Sequence, residues 1–253
     1  MILKNKTALV TGASRGIGAA VALALAEAGA DVIAQYGSYR KGAEDNLKHI
    51  ASTKKTFVQA DLSIRFAGRE FFRKLISDGR NIDIFINNAA VNIETPFVGS
   101  DDEWDNGWKE TLNVNLLESC DLIRESVNHF LKIGGGKIIS MSSWSGQRGS
   151  ALPTLSAYAA SKAAVKAVTQ TVAQNYAKEN IFAFCISPGI VKTRMSDFAA
   201  IARGGEEKMK AALVMGELVP PSEIGDLAVF LASDKSRHLT GSTIDINGAT
   251  YIR

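Results

Sequence analysis

The chain has 253 residues, of which 46% are hydrophobic, enough to bury a continuous core without disulfides or a structural metal. Lysine and arginine number 29 against 26 aspartates and glutamates, a net charge of +3, which gives no electrostatic case for a nucleic-acid or anionic-membrane partner. Cys120 and Cys185 stand singly in apolar stretches, without CxxC spacing or a neighbouring histidine; they read as structural thiols in a reducing compartment, not as a disulfide or a metal site.

The first residues carry no basic region followed by a long apolar run, so no signal peptide is expected. A strand is expected at 7–11 (TALVT), then a helix over 17–29 ending at Gly29. The Ala-rich run 19–30 contains Glu27 and is too short for a membrane span, so a cytoplasmic protein is expected. Further strands are expected at 31–36, 56–60, 82–87, 137–141, 181–187 and 242–246, and helices at 42–52, 65–78, 104–132, 156–178 and 222–232. This alternation implies an α/β fold, a mostly parallel sheet with helices on both faces. The strands are apolar almost throughout, as strands buried on both faces are. No repeat, low-complexity segment or change of composition divides the chain, so residues 1–253 are expected to form a single domain. Segment 192–219 is long, mixed in character and broken by Gly204 and Gly205. It follows the carboxyl end of a strand, where parallel sheets bind ligands, and is expected to be a substrate lid.

Gly12, Gly16 and Gly18 lie between the first strand and the first helix in TGASRGIG, spaced G-x-x-x-G-x-G. Glycines there let the backbone turn tightly and approach a pyrophosphate, while the helix N-terminus supplies free amides and the positive end of its dipole. The second strand ends Gln35-Tyr36 and continues GSYRK, with no carboxylate for a ribose hydroxyl pair. A carboxylate would repel a 2′-phosphate; arginine and hydroxyl groups bind one. Arg15, Ser38, Tyr39 and Arg40, beside Tyr36, are therefore expected to favour NADP(H), with NAD(H) as the weaker cofactor.

Eight segments occur in one order: TGASRGIG (11–18), DLS (61–63), NNAA (87–90), NVN (113–115), SMSS (140–143), YAASK (158–162), PGIVKT (188–193) and TGSTIDINGA (240–249). On these the chain resembles the short-chain dehydrogenase/reductase family over essentially its full length. The resemblance implies a Rossmann-type doubly wound parallel sheet of about seven strands, a nicotinamide cofactor and a homotetramer, or else a homodimer. It implies cofactor contacts from Gly12, Ser14, Arg15, Gly16, Ile17 and Gly18. It places Asp61, beside Leu62, on the adenine, and Asn88, Ala89 and Ala90 along the ribose. Pro188, Gly189, Val191 and Thr193 would hold the nicotinamide. Ala90 stands where the family usually has Gly, and Asn247-Gly248-Ala249 where it often reads Asp-Gly-Gly.

Tyr158 and Lys162 are four apart on a helix and so face the same way. A phenol titrates near ~10, too high for efficient proton exchange at neutral pH; a nearby ammonium is expected to lower that value. Tyr158 would then exchange a proton with a carbonyl or alcohol oxygen, and Lys162 would also hold the ribose hydroxyls, as the resemblance implies. Ser143 matches the family's substrate-orienting serine, with Ser142 as the neighbouring alternative. Asn115 matches the asparagine of a water-linked proton relay, with Asn113 as the alternative. No acyl-transfer constellation is suggested.

Trp144, Gln147, Leu152, Met195 and Phe198, with Val91 and Asn92 from the cofactor side, are expected around a small carbonyl or alcohol substrate. Arg148 and Arg194 are the cations available for a carboxylate. The expected function is an NADP(H)-dependent oxidoreductase interconverting a carbonyl and a secondary alcohol. The alternatives are 3-oxoacyl-(acyl-carrier-protein) reduction, for which HFLKIGGGK (129–137) and KENI (178–181), with Glu179 nearest the expected basic position, offer only thin docking, and a non-catalytic NADP(H)-binding redox sensor.

Overall fold

In the computed structural model the β-branched runs become seven strands: β1 (Thr7–Val10), β2 (Asp31–Tyr36), β3 (Lys55–Gln59), β4 (Ile84–Asn87), β5 (Gly136–Met141), β6 (Ile181–Pro188) and β7 (Thr243–Ile246). The structure describes residues 1–202 and 204–253, without the side chains of Phe198, Ala199 and Ala202. Between the strands run α1 (Gly16–Glu27), α2 (Arg40–Asn46), α3 (Ala67–Ser77), α4 (Asp101–Leu112), α5 (Ser119–Ile133), α6 (Ser145–Arg148), α7 (Ser156–Tyr176), α8 (Arg194–Ala202), α9 (Glu206–Ala211) and α10 (Pro221–Ala232).

The strands pair in the order β3-β2-β1-β4-β5-β6-β7, every pairing parallel. Successive side chains alternate across the sheet, and this splits the core in two. Ala8 and Val10, Ile84 and Ile86, and Phe182, Phe184 and Ile186 face one side, against Val21 and Leu25 of α1 and Ile224 and Leu231 of α10. Leu9, Phe85, Ile138 and Ala183 face the other, against Phe72 of α3, Leu122 and Phe130 of α5 and Val172 of α7. Burial on both faces explains why the strands are apolar at nearly every position. The chain order reverses at β1, which pairs with β2 on one side and β4 on the other. The carboxyl ends of β1 and β4 therefore border the crevice where such sheets bind ligands.

Two expected helices differ. The helix expected over 104–132 is α4, a π-helical segment (Asn113–Glu118) and α5. It begins earlier because Ser100 caps it: the Ser100 hydroxyl accepts from the Glu103 amide, and Glu103 reaches back to the Ser100 amide. The helix expected over 42–52 is α2, which ends at Asn46, whose side-chain amide donates to the Ala19 carbonyl at 2.6 Å.

Segment 192–219 holds α8 and α9, and its two ends meet. The Lys192 amide donates to the Val219 carbonyl at 3.0 Å and the Val219 amide to the Ile190 carbonyl at 2.9 Å. Ala200, Met209 and Leu218 form a small apolar cluster of its own. Among the described residues no helix is long and apolar enough to cross a membrane.

Candidate active site

The glycine loop leaves β1 with Gly12 at φ +66° and Gly16 at φ +57°, conformations that glycine adopts without strain. At Gly18 a Cβ would lie 2.2 Å from the Gly12 carbonyl oxygen and 2.4 Å from Asn88 Nδ2, so only glycine lets α1 start against the β1–β4 crevice. Thr11 and Asn88 lock that crevice. The Thr11 hydroxyl accepts from the Asn88 and Ala89 amides at 3.0 and 3.1 Å, and Asn88 Nδ2 donates to the Thr11 carbonyl at 2.8 Å. Gln35 braces the other side, accepting from the Gly12 amide at 2.8 Å and donating to the Ala60 carbonyl at 2.7 Å. Neither Thr11 nor Gln35 stood out in the sequence as a site residue. A buried glutamine in an apolar strand was the available signal.

A cleft of about 460 Å³ runs along these strand ends. It is lined by Gly12, Ser14, Arg15, Gly16, Ile17 and Gly18, by Ser38 and Tyr39, by Asp61 and Leu62, by Asn88, Ala89 and Ala90, and by Tyr158, Lys162 and Thr193. The glycine cradle and the elongated cleft fit a dinucleotide. Asp61 is held by the Ser63 hydroxyl at 2.7 Å and the Ser63 amide at 2.9 Å, which keep its carboxyl below the usual range. The Arg15 guanidinium lies 5.0 Å from the Tyr39 ring centroid, with Ser38 alongside in the lining.

Arg40 and Tyr36 stand outside this lining. Arg40 does not line the cleft; it pairs with Glu44, one helical turn on, at 2.7 Å. Tyr36 is buried at the end of β2 and also stays out of the lining.

Tyr158 and Lys162 face one way from α7, with the lysine Nζ 5.8 Å from the phenol ring centroid. Lys162 is buried and donates to the Met141 carbonyl at 2.8 Å. Burial lowers its pKa from 10.5 to about 8. The expected lowering of the Tyr158 pKa does not appear: burial pushes the phenol up, opposed by the Ser143 hydroxyl beside it. Lys162 directs its donor to the Met141 backbone and does not hydrogen-bond the phenol. At neutral pH the phenol therefore keeps its proton.

The two serines have different partners. Ser142 is tied to α7, donating to the Lys162 carbonyl at 2.9 Å. Ser143 sits beside Tyr158, its hydroxyl accepting from the Ser145 amide at 3.1 Å. So do the asparagines. Asn113 donates to the Ser63 carbonyl at 2.7 Å. Asn115, buried in the π-helical segment, accepts from the Val91 amide at 2.8 Å and donates to the Val91 carbonyl and the Ser161 hydroxyl at 2.9 and 3.2 Å. It fastens the chain after β4 to the helix that carries Tyr158 and Lys162.

A smaller cavity of about 140 Å³ opens from the cleft, and Ser142, Tyr158, Ile17, Thr193 and Met195 line both. Ser143, Trp144, Arg148, Leu152 and Asn92 line it, as do Pro188, Gly189 and Val191, which border this cavity and not the larger cleft. Val91 and Arg194 line the larger cleft instead. Gln147 is a correction: its amide donates to the Ser187 hydroxyl at 2.6 Å and to Asp245 at 2.5 Å, bracing α6 on the ends of β6 and β7. The Phe198 side chain lies outside the described residues. Cys185 is buried, which pushes its thiol up to about 11, and the half-buried Cys120 thiol is also raised by desolvation.

The family model described as enoyl-(acyl carrier protein) reductase matches residues 12–249. The 3-oxoacyl-(acyl-carrier-protein) reductase of Staphylococcus epidermidis is 31% identical over 251 residues, covering 98% of this chain and all of the relative. The crystal structure of a 3-oxoacyl-(acyl-carrier-protein) reductase from Agrobacterium tumefaciens, with NADP bound, superposes at a TM-score of 0.87 and 30% identity, covering 97% of this chain and 94% of that one. A candidate NAD(P)-dependent gluconate 5-dehydrogenase from Beutenbergia cavernae, also with bound NADP, superposes at 0.86 and 30% identity, covering 98% and 97%. With the glycine cradle, the Tyr158–Lys162 pair and these full-length matches, the chain belongs to the short-chain dehydrogenase/reductase family and is an NAD(P)-dependent oxidoreductase.

Proposed function

We propose that the protein is an NADPH-dependent reductase of a small carbonyl compound, with Tyr158 as proton donor. The observation that carries this reading is the position of Tyr158, on the wall shared by the dinucleotide cleft and the smaller cavity, with Ser143 beside it. When bound, the nicotinamide supplies the hydride. Ser143 hydrogen-bonds the carbonyl oxygen and orients it, and Tyr158 gives that oxygen its proton. Lys162 places a positive charge behind the phenol. Asn115 is a positioning residue that holds the Val91 backbone against α7.

Arg15, Ser38 and Tyr39 form the pocket for the 2′-phosphate, and no carboxylate competes at the end of β2. The bound NADP of both solved neighbours supports this preference. The chain is a single domain in which 192–219 covers the substrate; the joined ends of that segment and its own apolar cluster support a lid. A cytoplasmic homotetramer is the assembly the family resemblance favours.

The names of the relatives support a second reading, reduction of a carrier-bound 3-oxoacyl group. An acidic carrier needs an exposed basic surface. Lys137 is buried and spent on the Ala232 carbonyl and Asp234, at 2.9 and 3.0 Å; Lys132 and Lys178 are exposed, the latter next to the exposed Glu179. That leaves the carrier reading below the free-substrate one. Steady consumption of NADPH across a panel of ketones, sugars and acyl thioesters tests the proposal, and absence of any turnover favours a redox sensor. With an active substrate, kcat/KM should favour NADPH over NADH by at least about tenfold, and Arg15→Ala should remove most of that preference. Equal values in the wild type would contradict the assignment.

A further inference from the structure

Two polar groups of the smaller cavity are left over from the chemistry assigned to Tyr158, Ser143 and Lys162. The first is Arg148. Its guanidinium lies 4.7 Å from the Trp144 ring centroid and 5.5 Å from that of Tyr251, while it lines the cavity. Among the described residues it makes no ion pair, and its side chain makes no hydrogen bond. Arg148 is exposed at the cavity mouth, and a guanidinium placed beside aromatic rings with its N–H groups unpaired can receive a carboxylate bidentately. Its support is rigid. On α6, a Cβ at Gly146 would lie 2.8 Å from the Ala163 amide nitrogen of α7, and Gln147 pins the same turn to Ser187 and Asp245. The second is Asn92, whose Oδ1 is buried without a partner among the described residues and which lines the same cavity. A buried carbonyl oxygen without a donor is costly unless a ligand supplies one.

We propose that this cavity recognises a small hydroxylated keto acid, its carboxylate on Arg148 and a hydroxyl donated to Asn92 Oδ1. The inference rests on the carbonyl-reductase reading and names the substrate class of that site.

The test uses matched probes with the intact protein and NADPH. Levulinate against methyl levulinate isolates the carboxylate, and hydroxyacetone against butanone isolates the hydroxyl. In the wild type, kcat/KM should favour the acid over its ester by about tenfold to a hundredfold, the ratio a charge-assisted pair gives. Arg148→Ala should collapse that ratio, and Arg148→Lys should restore part of it. Hydroxyacetone should exceed butanone by about tenfold, and Asn92→Leu should abolish the difference. Equilibrium titration of levulinate and its ester into the NADP⁺ complex, followed by tryptophan fluorescence, reads the same preference without turnover. If the acid binds more tightly in an Arg148-dependent way but no carbonyl is reduced, the reductase reading falls and the anion site stands. If ketones and esters are reduced with no advantage to the acid in rate or binding, the inference falls and the reductase reading stands. A larger advantage for an uncharged acetoacetyl thioester, or for dihydroxyacetone phosphate, over the keto acids would also overturn it.

Discussion

Lys162 carries the most consequential number in the site. Its pKa, lowered by burial to about 8 from 10.5, puts its charge change within the working range of an enzyme. Below that value the ammonium is present; above it the charge is lost. The reductase kcat/KM should therefore hold at neutral pH and fall as pH rises through about 8. The stability contribution has the opposite sign. Between about 8 and 10.5 the unfolded chain keeps the lysine proton that the folded protein has released, so this group makes the fold more stable as pH rises. A rate that falls while the melting temperature holds thus separates the lysine from unfolding, and a flat profile across this range would show that its charge is not used.

Ala249 is a second residue-scale test. It sits at φ +58°, in the left-handed region, where a β-carbon costs ~1–2 kcal/mol. The family resemblance marked this position as a departure, with Gly the frequent residue there. Ala249→Gly should raise stability by about 1 kcal/mol, measured as the free energy of denaturant unfolding. An unchanged or lower value would mean that the alanine side chain makes compensating contacts.

Among the elements, the junction of α3 with the π-helical segment is the most interdependent. Glu118 ends that segment fully buried and accepts from the Phe66 amide at 2.6 Å, the Gly68 amide at 2.7 Å and Arg65 at 2.8 Å. It thereby adds a buried anion beside Glu70 at the first turn of α3, whose N-cap residue makes no side-chain cap. Asp121 and Glu125 continue the stripe along α5, pairing with Arg65, just before the facing helix, and with Arg69 and Arg73 on it. Removing one partner of a buried set leaves the others desolvated and unpaired. Glu118→Ala should cost about 3–5 kcal/mol, whereas Glu125→Ala, whose partner Arg73 is more than half exposed, should cost far less. Chemical denaturation of both variants checks the contrast, and equal losses would contradict it.

At the scale of the whole molecule, the sheet was legible because each strand is a short apolar run bounded by polar or glycine residues. The π-helical segment was not, since NVNLLE continues the apolar spacing of the helices around it and only tertiary packing sets it apart. Tyr158, Lys162 and the glycine loop were legible because each needs a residue type at a fixed spacing. Ser143 and Ser142, like Asn115 and Asn113, differ in their partners in space, which the sequence does not display. The pairing of Arg40 with Glu44 was present in the sequence as an i,i+4 spacing. Gln147 misled because its partners, Ser187 and Asp245, lie on distant strands. The account joins the two halves of the molecule, dinucleotide cleft and smaller cavity, through one phenol. Its most direct test is Tyr158→Phe, assayed for NADPH binding and for NADPH-dependent carbonyl reduction together. The account predicts unchanged cofactor affinity with a loss of about a hundredfold or more in kcat. A near-wild-type rate from Tyr158→Phe would contradict it.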